Sequence, residues 1–138
     1  MPGFPPSFVV YIVDDDDSVR ISLLRLMRAS RMRAEAFATA EEFLEAMSPE
    51  SAGCVLLDLS MPRMTGLEVQ ARLRSRSIDL PVIAVSARDD PEVRESAFAL
   101  GAKFFLRKPV DDQALLDAIA WMQTSGGRTD ADDKVKPR

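Results

Sequence analysis

The sequence predicts an α/β domain built on a five-stranded, doubly wound parallel sheet, and three observations carry that prediction. Apolar runs at Phe8–Val13, Cys54–Leu57 and Val82–Val85 are too short for helices and lack polar alternation, as strands buried on both faces do. Between them stand stretches with apolar residues at helical spacing, most of them opened by a capping residue. The connections are short, and 138 residues with 46% hydrophobic content suit one domain with a full core.

Residues 1–7 read as a loose lead-in. The first strand, Phe8–Val13, runs straight into Asp14-Asp15-Asp16-Asp17-Ser18. A helix follows to about Ser30, with Val19, Leu23, Leu26 and Met27 at helical spacing. Asp17 is the expected N-cap, and Asp16 also suits the positive end of a helix dipole. Asp14 and Asp15 are then left at the strand end without a local role. A second strand at Arg33–Ala38 has the mixed polarity of a sheet edge. Thr39-x-x-Glu42 has capping-box spacing and opens a short helix that closes by Ser48-Pro49.

The run Cys54–Leu57 ends on a lone carboxylate, Asp58. A loop with Pro62 and Gly66 follows, and Thr65-x-x-Glu68 opens a third helix to about Arg76. Leu80-Pro81 leads into Val82–Val85, which ends on Ser86. Asp90-Pro91-Glu92 supplies a cap, a proline at the first helical position and an acid in the first turn. That helix stops at Leu100-Gly101. Lys103–Arg107 makes a short fifth strand ending in Lys108-Pro109, and Asp111 or Asp112 caps a last helix to about Gln123. The domain is thus expected over residues 8–123. Residues 124–138, with two glycines and almost no apolar side chains, are expected to be disordered. Five strands alternating with five helices fit the flavodoxin-like order 2-1-3-4-5, with the second and fifth strands as edges.

Composition narrows the chemistry. Histidine is absent and there is one cysteine, which removes imidazole acid–base catalysis, Ser-His-Asp and Cys-His systems and thiolate metal sites. Any metal must sit on oxygen ligands, the preference of Mg²⁺, Mn²⁺ and Ca²⁺. A net charge of −4 argues against direct nucleic-acid binding, which leaves a basic footprint. No apolar run is long enough to span a bilayer, and the start has neither a basic n-region nor an apolar h-region. Cys54 reads as buried and reduced. The expectation is a cytoplasmic protein without a membrane segment.

Four of the five strands end, on the same side of the sheet, in a polar group: Asp14 and Asp15, Asp58, Ser86 and Lys108. In the order 2-1-3-4-5 the first and third strands are neighbours, so the three carboxylates converge at the topological switch point. Two like charges about 4 Å apart repel by about 4 kcal/mol at an effective dielectric near 20. Lys108 offsets part of this, and a hard divalent cation on oxygen ligands offsets the rest. Mg²⁺ keeps several waters and leaves room for a phosphoryl group. The set therefore reads as a phosphoryl-transfer site: Asp58 as nucleophile, Lys108 and the metal neutralising oxygens, and the Ser86 hydroxyl donating to one of them.

Ile12-Val13-Asp14-Asp15, Leu57-Asp58-Leu59-Ser60-Met61-Pro62 with Gly66, Val85-Ser86-Ala87 and Lys108-Pro109 together resemble the receiver domain of two-component response regulators, in its FixJ-type branch. The resemblance covers roughly residues 8–123. It implies that Asp58 is phosphorylated by the phosphohistidine of a sensor histidine kinase or phosphorelay partner. It implies Mg²⁺ (or Mn²⁺) on Asp15, Asp58 and the Ser60 carbonyl, with Asp14 binding through water. Ser86 and Phe105 take the switch positions, Lys108 pairs with the phosphoryl group, and Lys108-Pro109 is commonly cis in that family. Ser60 and Arg88 line the approach of the hydrolytic water. Output is expected through the fourth helix, fifth strand and fifth helix, where Arg94, Lys103 and Arg107 with Glu92, Glu95 and Asp112 could pair in a homodimer. Val110 stands where the family often has Phe.

Two other readings stay open at this point. One is a Mg²⁺-dependent phosphohydrolase with an aspartyl-phosphate, of the haloacid dehalogenase type. There the nucleophile ends the first strand, whereas here the acidic pair comes first. The other is a receiver-like interaction module that takes no phosphate. On either signalling reading the chain is a phosphoacceptor or a binding module rather than an enzyme, and Phe105 is equally at home as an ordinary core residue.

Overall fold

A computed structural model describes residues 8–125; the lead-in 1–7 and residues 126–138 of the tail lie outside the described residues. Ten elements follow one another: β1 (Val9–Val13), α1 (Asp17–Ala29), β2 (Ala34–Phe37), α2 (Ala40–Ala46), β3 (Gly53–Asp58), α3 (Gly66–Ser75), β4 (Val82–Ser86), α4 (Pro91–Ala99), β5 (Ala102–Arg107) and α5 (Asp112–Ser125). The strands pair in parallel in the order β2-β1-β3-β4-β5. The predicted fold and strand order are those observed.

The central strands owe their place to their apolar runs. β1 and β4 are buried at every residue, and β3 at all but its first. β2 has no fully buried residue, consistent with its edge position. Side chains alternate between two cores, as the pleat requires. Val10, Ile12, Leu56 and Ile83 meet Met27 of α1 and Leu115 and Ile119 of α5. Val13, Val55, Leu57 and Ala84 meet Phe43, Val69 and Ala97 of α2, α3 and α4. Burying each such aliphatic or aromatic side chain contributes about 1.5–3 kcal/mol. These contacts, rather than any polar group, hold the layers together.

Adjacent residues of β5 divide between the two faces. Phe104 packs edge-on against Trp121 of α5, with ring centroids 5.5 Å apart. Phe105 lies half-buried on the α4 side.

Two local expectations change and one is decided. Asp16, not Asp17, is the N-cap of α1: it is extended, and its carboxylate accepts from the N–H groups of Ser18 and Val19. Asp17 is the first helical residue and pairs with Arg20 one turn on. Of the two candidates before α5, Asp111 caps, accepting from the Ala114 N–H at 2.8 Å. α5 runs through Ser125, so Thr124 and Ser125, expected in a disordered tail, are helical; the Thr124 hydroxyl donates to the Trp121 carbonyl at 3.0 Å. The other caps are as expected, including Thr39 at α2, the full capping box of Thr65 and Glu68 at α3, and Asp90-Pro91 at α4. Gly101 follows the last turn of α4 with φ 112°, a conformation glycine adopts without steric cost.

Candidate functional site

The sheet register builds the site. Val13 pairs with Leu57, so the next residues, Asp14 and Asp58, leave neighbouring strands at the same level. Asp58 pairs with Val85, and Ser86 with Arg107. Ser86 and Lys108 thereby reach the same rim, and the Lys108 N–H donates to the Ser86 carbonyl at 2.9 Å. The Lys108-Pro109 bond is cis, as the resemblance implied.

Asp14, Asp15 and Asp58 each offer a carboxylate oxygen, and the three oxygens lie within 4.8 Å of one another. Asp14 and Asp58 are only 4% and 2% exposed, while Asp15 faces solvent. The Lys108 ammonium lies 3.0 Å from Asp14 Oδ2 and 3.4 Å from Asp58 Oδ2, bridging the buried pair. The backbone turns inward as well: Asp16 N–H donates to Asp14 Oδ1, and Ser60 N–H to Asp58 Oδ1, both at 2.9 Å.

These contacts do not balance equally. Burial raises the Asp58 pKa above the usual 3.8, and the Asp14 charge pushes it the same way; the Ser60 N–H and Lys108 oppose but do not cancel this. Burial is also the largest influence on Lys108, pulling its pKa down. The hydrogen bond to Asp14 and the charges of Asp58 and Asp14 together outweigh burial, and the net shift is upward. Both partners of one ion pair are thus raised. Burial explains the first, since it penalises the Asp58 charge more than the Ser60 N–H and Lys108 restore, and the two neighbouring carboxylates explain the second.

The donor set suits a hard cation. Three carboxylates without sulfur or imidazole match Mg²⁺ or Mn²⁺. The three oxygens, all within 4.8 Å of one another, are grouped closely enough for one such cation to draw them together. A cleft of about 440 Å³, lined by Asp14, Asp58 and Lys108 and by Val19, Leu23 and Pro109, opens beside the acids. On the other flank, Gly66 at the start of α3 approaches so closely that a Cβ there would lie 2.8 Å from the Asp58 carbonyl oxygen.

A sequence model of the response regulator receiver domain matches residues 10–120. The chain belongs to this family. It is 37% identical over 115 residues to the transcriptional regulatory protein FixJ of Azorhizobium caulinodans, an overlap covering 83% of this chain and 54% of that protein. The structure of the response regulator StyR matches with a TM-score of 0.81 and 40% identity, over 86% of this chain and 60% of the other. The FixJ-N crystal structure matches with a TM-score of 0.78 and 30% identity, over 87% and 96%. The chain spans about half the length of the curated relatives it matches. The FixJ-type resemblance is therefore borne out.

In this receiver domain the remaining predicted residues divide. Ser86 is buried at the rim, and its hydroxyl accepts from the Arg88 N–H at 3.1 Å. The Arg88 side chain and Ser60 are exposed on the loops that flank the acids. Phe105 lies away from the acids, beneath α4, with the Arg94 guanidinium 5.5 Å from its ring centre. Cys54 is buried in β3, and burial pushes its thiol up to about 12, so it stays protonated. Among the described residues no helix is long and apolar enough to cross a membrane.

Arg20 was missed by sequence reasoning. Its guanidinium donates to the Asp14 carbonyl at 2.7 Å and pairs with Asp17, fixing the turn that presents Asp14 and Asp15. The available signal was the Asp17-x-x-Arg20 spacing on the first helical turn.

Proposed function

We propose that this domain, over residues 8–123, accepts a phosphoryl group on Asp58 from the phosphohistidine of a sensor histidine kinase or phosphotransfer protein. The observation that carries the reading is Lys108 bridging Asp14 and Asp58 within a three-carboxylate cluster. A carboxylate oxygen of Asp58 attacks phosphorus; the O–P bond forms as the P–N bond breaks, and the imidazole leaves. Lys108 follows the developing negative charge, and the Ser86 hydroxyl turns to donate to a phosphoryl oxygen. Asp15, Asp58 and the Ser60 carbonyl would hold Mg²⁺ or Mn²⁺, with Asp14 acting through a water. Bound metal supplies charge neutralisation at the phosphoryl oxygens. The domain is a signalling phosphoacceptor in the cytoplasm, not a turnover enzyme, beyond assisting its own phosphorylation and dephosphorylation.

The test is intact-protein mass after incubation with acetyl phosphate and Mg²⁺, alongside hydrolysis of a generic phosphate ester. One added phosphoryl group without ester turnover supports the reading. Sustained ester turnover would instead identify a phosphohydrolase.

Two further points belong to this reading. Ser60 and Arg88 stand two positions past Asp58 and Ser86 and border the path of the hydrolytic water. Arg88 covers the phosphoryl group, so Arg88→Ala should shorten its life about two- to five-fold, the worth of one exposed charge contact. Phosphoprotein mass followed over time reads this directly, and an unchanged rate removes Arg88 from the account. Output runs through the hydroxyl of Ser86, whose bond to a charged phosphoryl group is worth about 1.5–3 kcal/mol. Phe105 then turns inward, and the α4–β5–α5 face with Arg94, Lys103, Arg107, Glu92, Glu95 and Asp112 engages a protein partner or a second copy of the chain. The acidic balance of −4 favours a protein over nucleic acid on this domain. Sedimentation with and without beryllofluoride, which mimics the phosphoryl group, measures the dimer.

A further inference from the structure

We propose that Arg94 is a positioning residue that holds the Phe105 ring in its half-buried place beside α4 and makes that place depend on the loop between β4 and α4. The inference rests on the phosphoacceptor reading and adds a link that couples the site to the output face.

The contacts form a continuous path. The Ser86 hydroxyl accepts from the Arg88 N–H at 3.1 Å, which tethers the start of the loop to the rim of the sheet. The next residue, Asp89, places Oδ1 3.8 Å from Nη1 of Arg94. The Arg94 guanidinium carbon lies 5.5 Å from the Phe105 ring centre and 6.0 Å from that of Phe98. The Arg94 backbone belongs to the first turn of α4, its N–H donating to the Asp90 carbonyl at 2.9 Å.

The chemistry of each link gives the path a direction. A cation within about 6 Å of an aromatic centre is attracted to the negative face of the ring. Phe105 is half-buried, so the guanidinium both attracts the ring and covers a face that would otherwise meet water. Asp89 holds the guanidinium from the loop side. When the Ser86 side chain swings toward a phosphoryl group, its oxygen moves away from the Arg88 N–H and the loop loses that tether. Asp89 then shifts against Arg94, the guanidinium leaves the ring, and the half-buried place of Phe105 beside α4 is no longer favoured. Arg94 thus makes the ring answer to the loop as well as to the space vacated by Ser86.

The experiment follows Phe105 ring resonances in the full chain with labelled phenylalanine, assigned by Phe105→Leu, with and without beryllofluoride. Arg94→Gln should move the Phe105 signal of the free protein toward its beryllofluoride position, a population shift of about two- to five-fold. Arg94→Lys should restore most of the free-state position. Asp89→Asn should displace the ring in the wild-type background and have no added effect in Arg94→Gln. A merely structural arginine would lower Tm without moving the ring along this axis. If the Ser86 and Asp58 amides respond to beryllofluoride while Phe105 is unmoved by Arg94→Gln, the inference is overturned and the phosphoacceptor reading stands. If those amides of the wild-type protein ignore beryllofluoride, both are overturned.

Discussion

Asp15→Ala should lower the Mg²⁺-dependent phosphorylation rate by at least about 100-fold while leaving the fold intact. Losing even an outer partner of a metal site costs about 10- to 100-fold in affinity or activity, and Asp15 is proposed as a direct ligand. Its oxygen lies within 4.8 Å of those of Asp14 and Asp58, yet unlike them it is exposed. An exposed side chain away from core packing changes stability by no more than about 0.5 kcal/mol, so Tm without metal should hardly move. Initial rates with acetyl phosphate across a Mg²⁺ titration separate the two effects. Normal metal dependence in Asp15→Ala would put the ion elsewhere.

Asp58→Asn should make the metal-free protein more stable at neutral pH, and Mg²⁺ should erase the advantage. Burial, with the Asp14 charge, raises the Asp58 pKa above 3.8 in the folded state. The folded chain therefore holds this proton more tightly than the unfolded chain. Below the unfolded value both states are protonated and nothing is lost. As pH rises through 3.8 and then through the raised folded value, the unfolded chain ionises first and stability falls. The asparagine variant has no such loss, so the curves coincide in acid and part as pH rises. Asp14 still pairs with Lys108 in this variant, so removing the Asp58 charge leaves no cation unpaired, and Tm should rise at pH 7 while staying unchanged in acid. Saturating Mg²⁺ binds the folded wild type and lifts its Tm by mass action, while the variant lacks a ligand and responds less. Thermal unfolding across pH, with EDTA or Mg²⁺, reads all of this. A wild type that outlasts Asp58→Asn at pH 7 without metal would mean that Lys108 compensates Asp58 fully.

Much of this was legible in the chain because the determining signals are local. The central strands announce themselves as apolar runs, and each ends one residue before or on its polar group, so strand order alone brings Asp14, Asp58, Ser86 and Lys108 to one rim. What stayed hidden needed three-dimensional distances. In a run of four aspartates the sequence favours Asp17 as the cap, and only the extended backbone of Asp16 shows that the helix begins one residue earlier. Arg20 reads as a surface charge on α1, and its bond to the Asp14 carbonyl appears only when the helix folds back on the strand end. Likewise nothing in the order of residues states that Lys108 lies nearer Asp14 than Asp58. Arg94 was legible as part of a charged face; its place over Phe105 depends on how α4 packs on β5.

The central claim is that Asp58 alone receives the phosphoryl group, and mapping the acyl phosphate by peptide mass spectrometry tests it most directly. After acetyl phosphate and Mg²⁺, the wild-type chain should carry one phosphoryl group, on the peptide containing Asp58, and Asp58→Asn should carry none. Label on Asp14 or Asp15, or undiminished labelling of Asp58→Asn, would contradict the account.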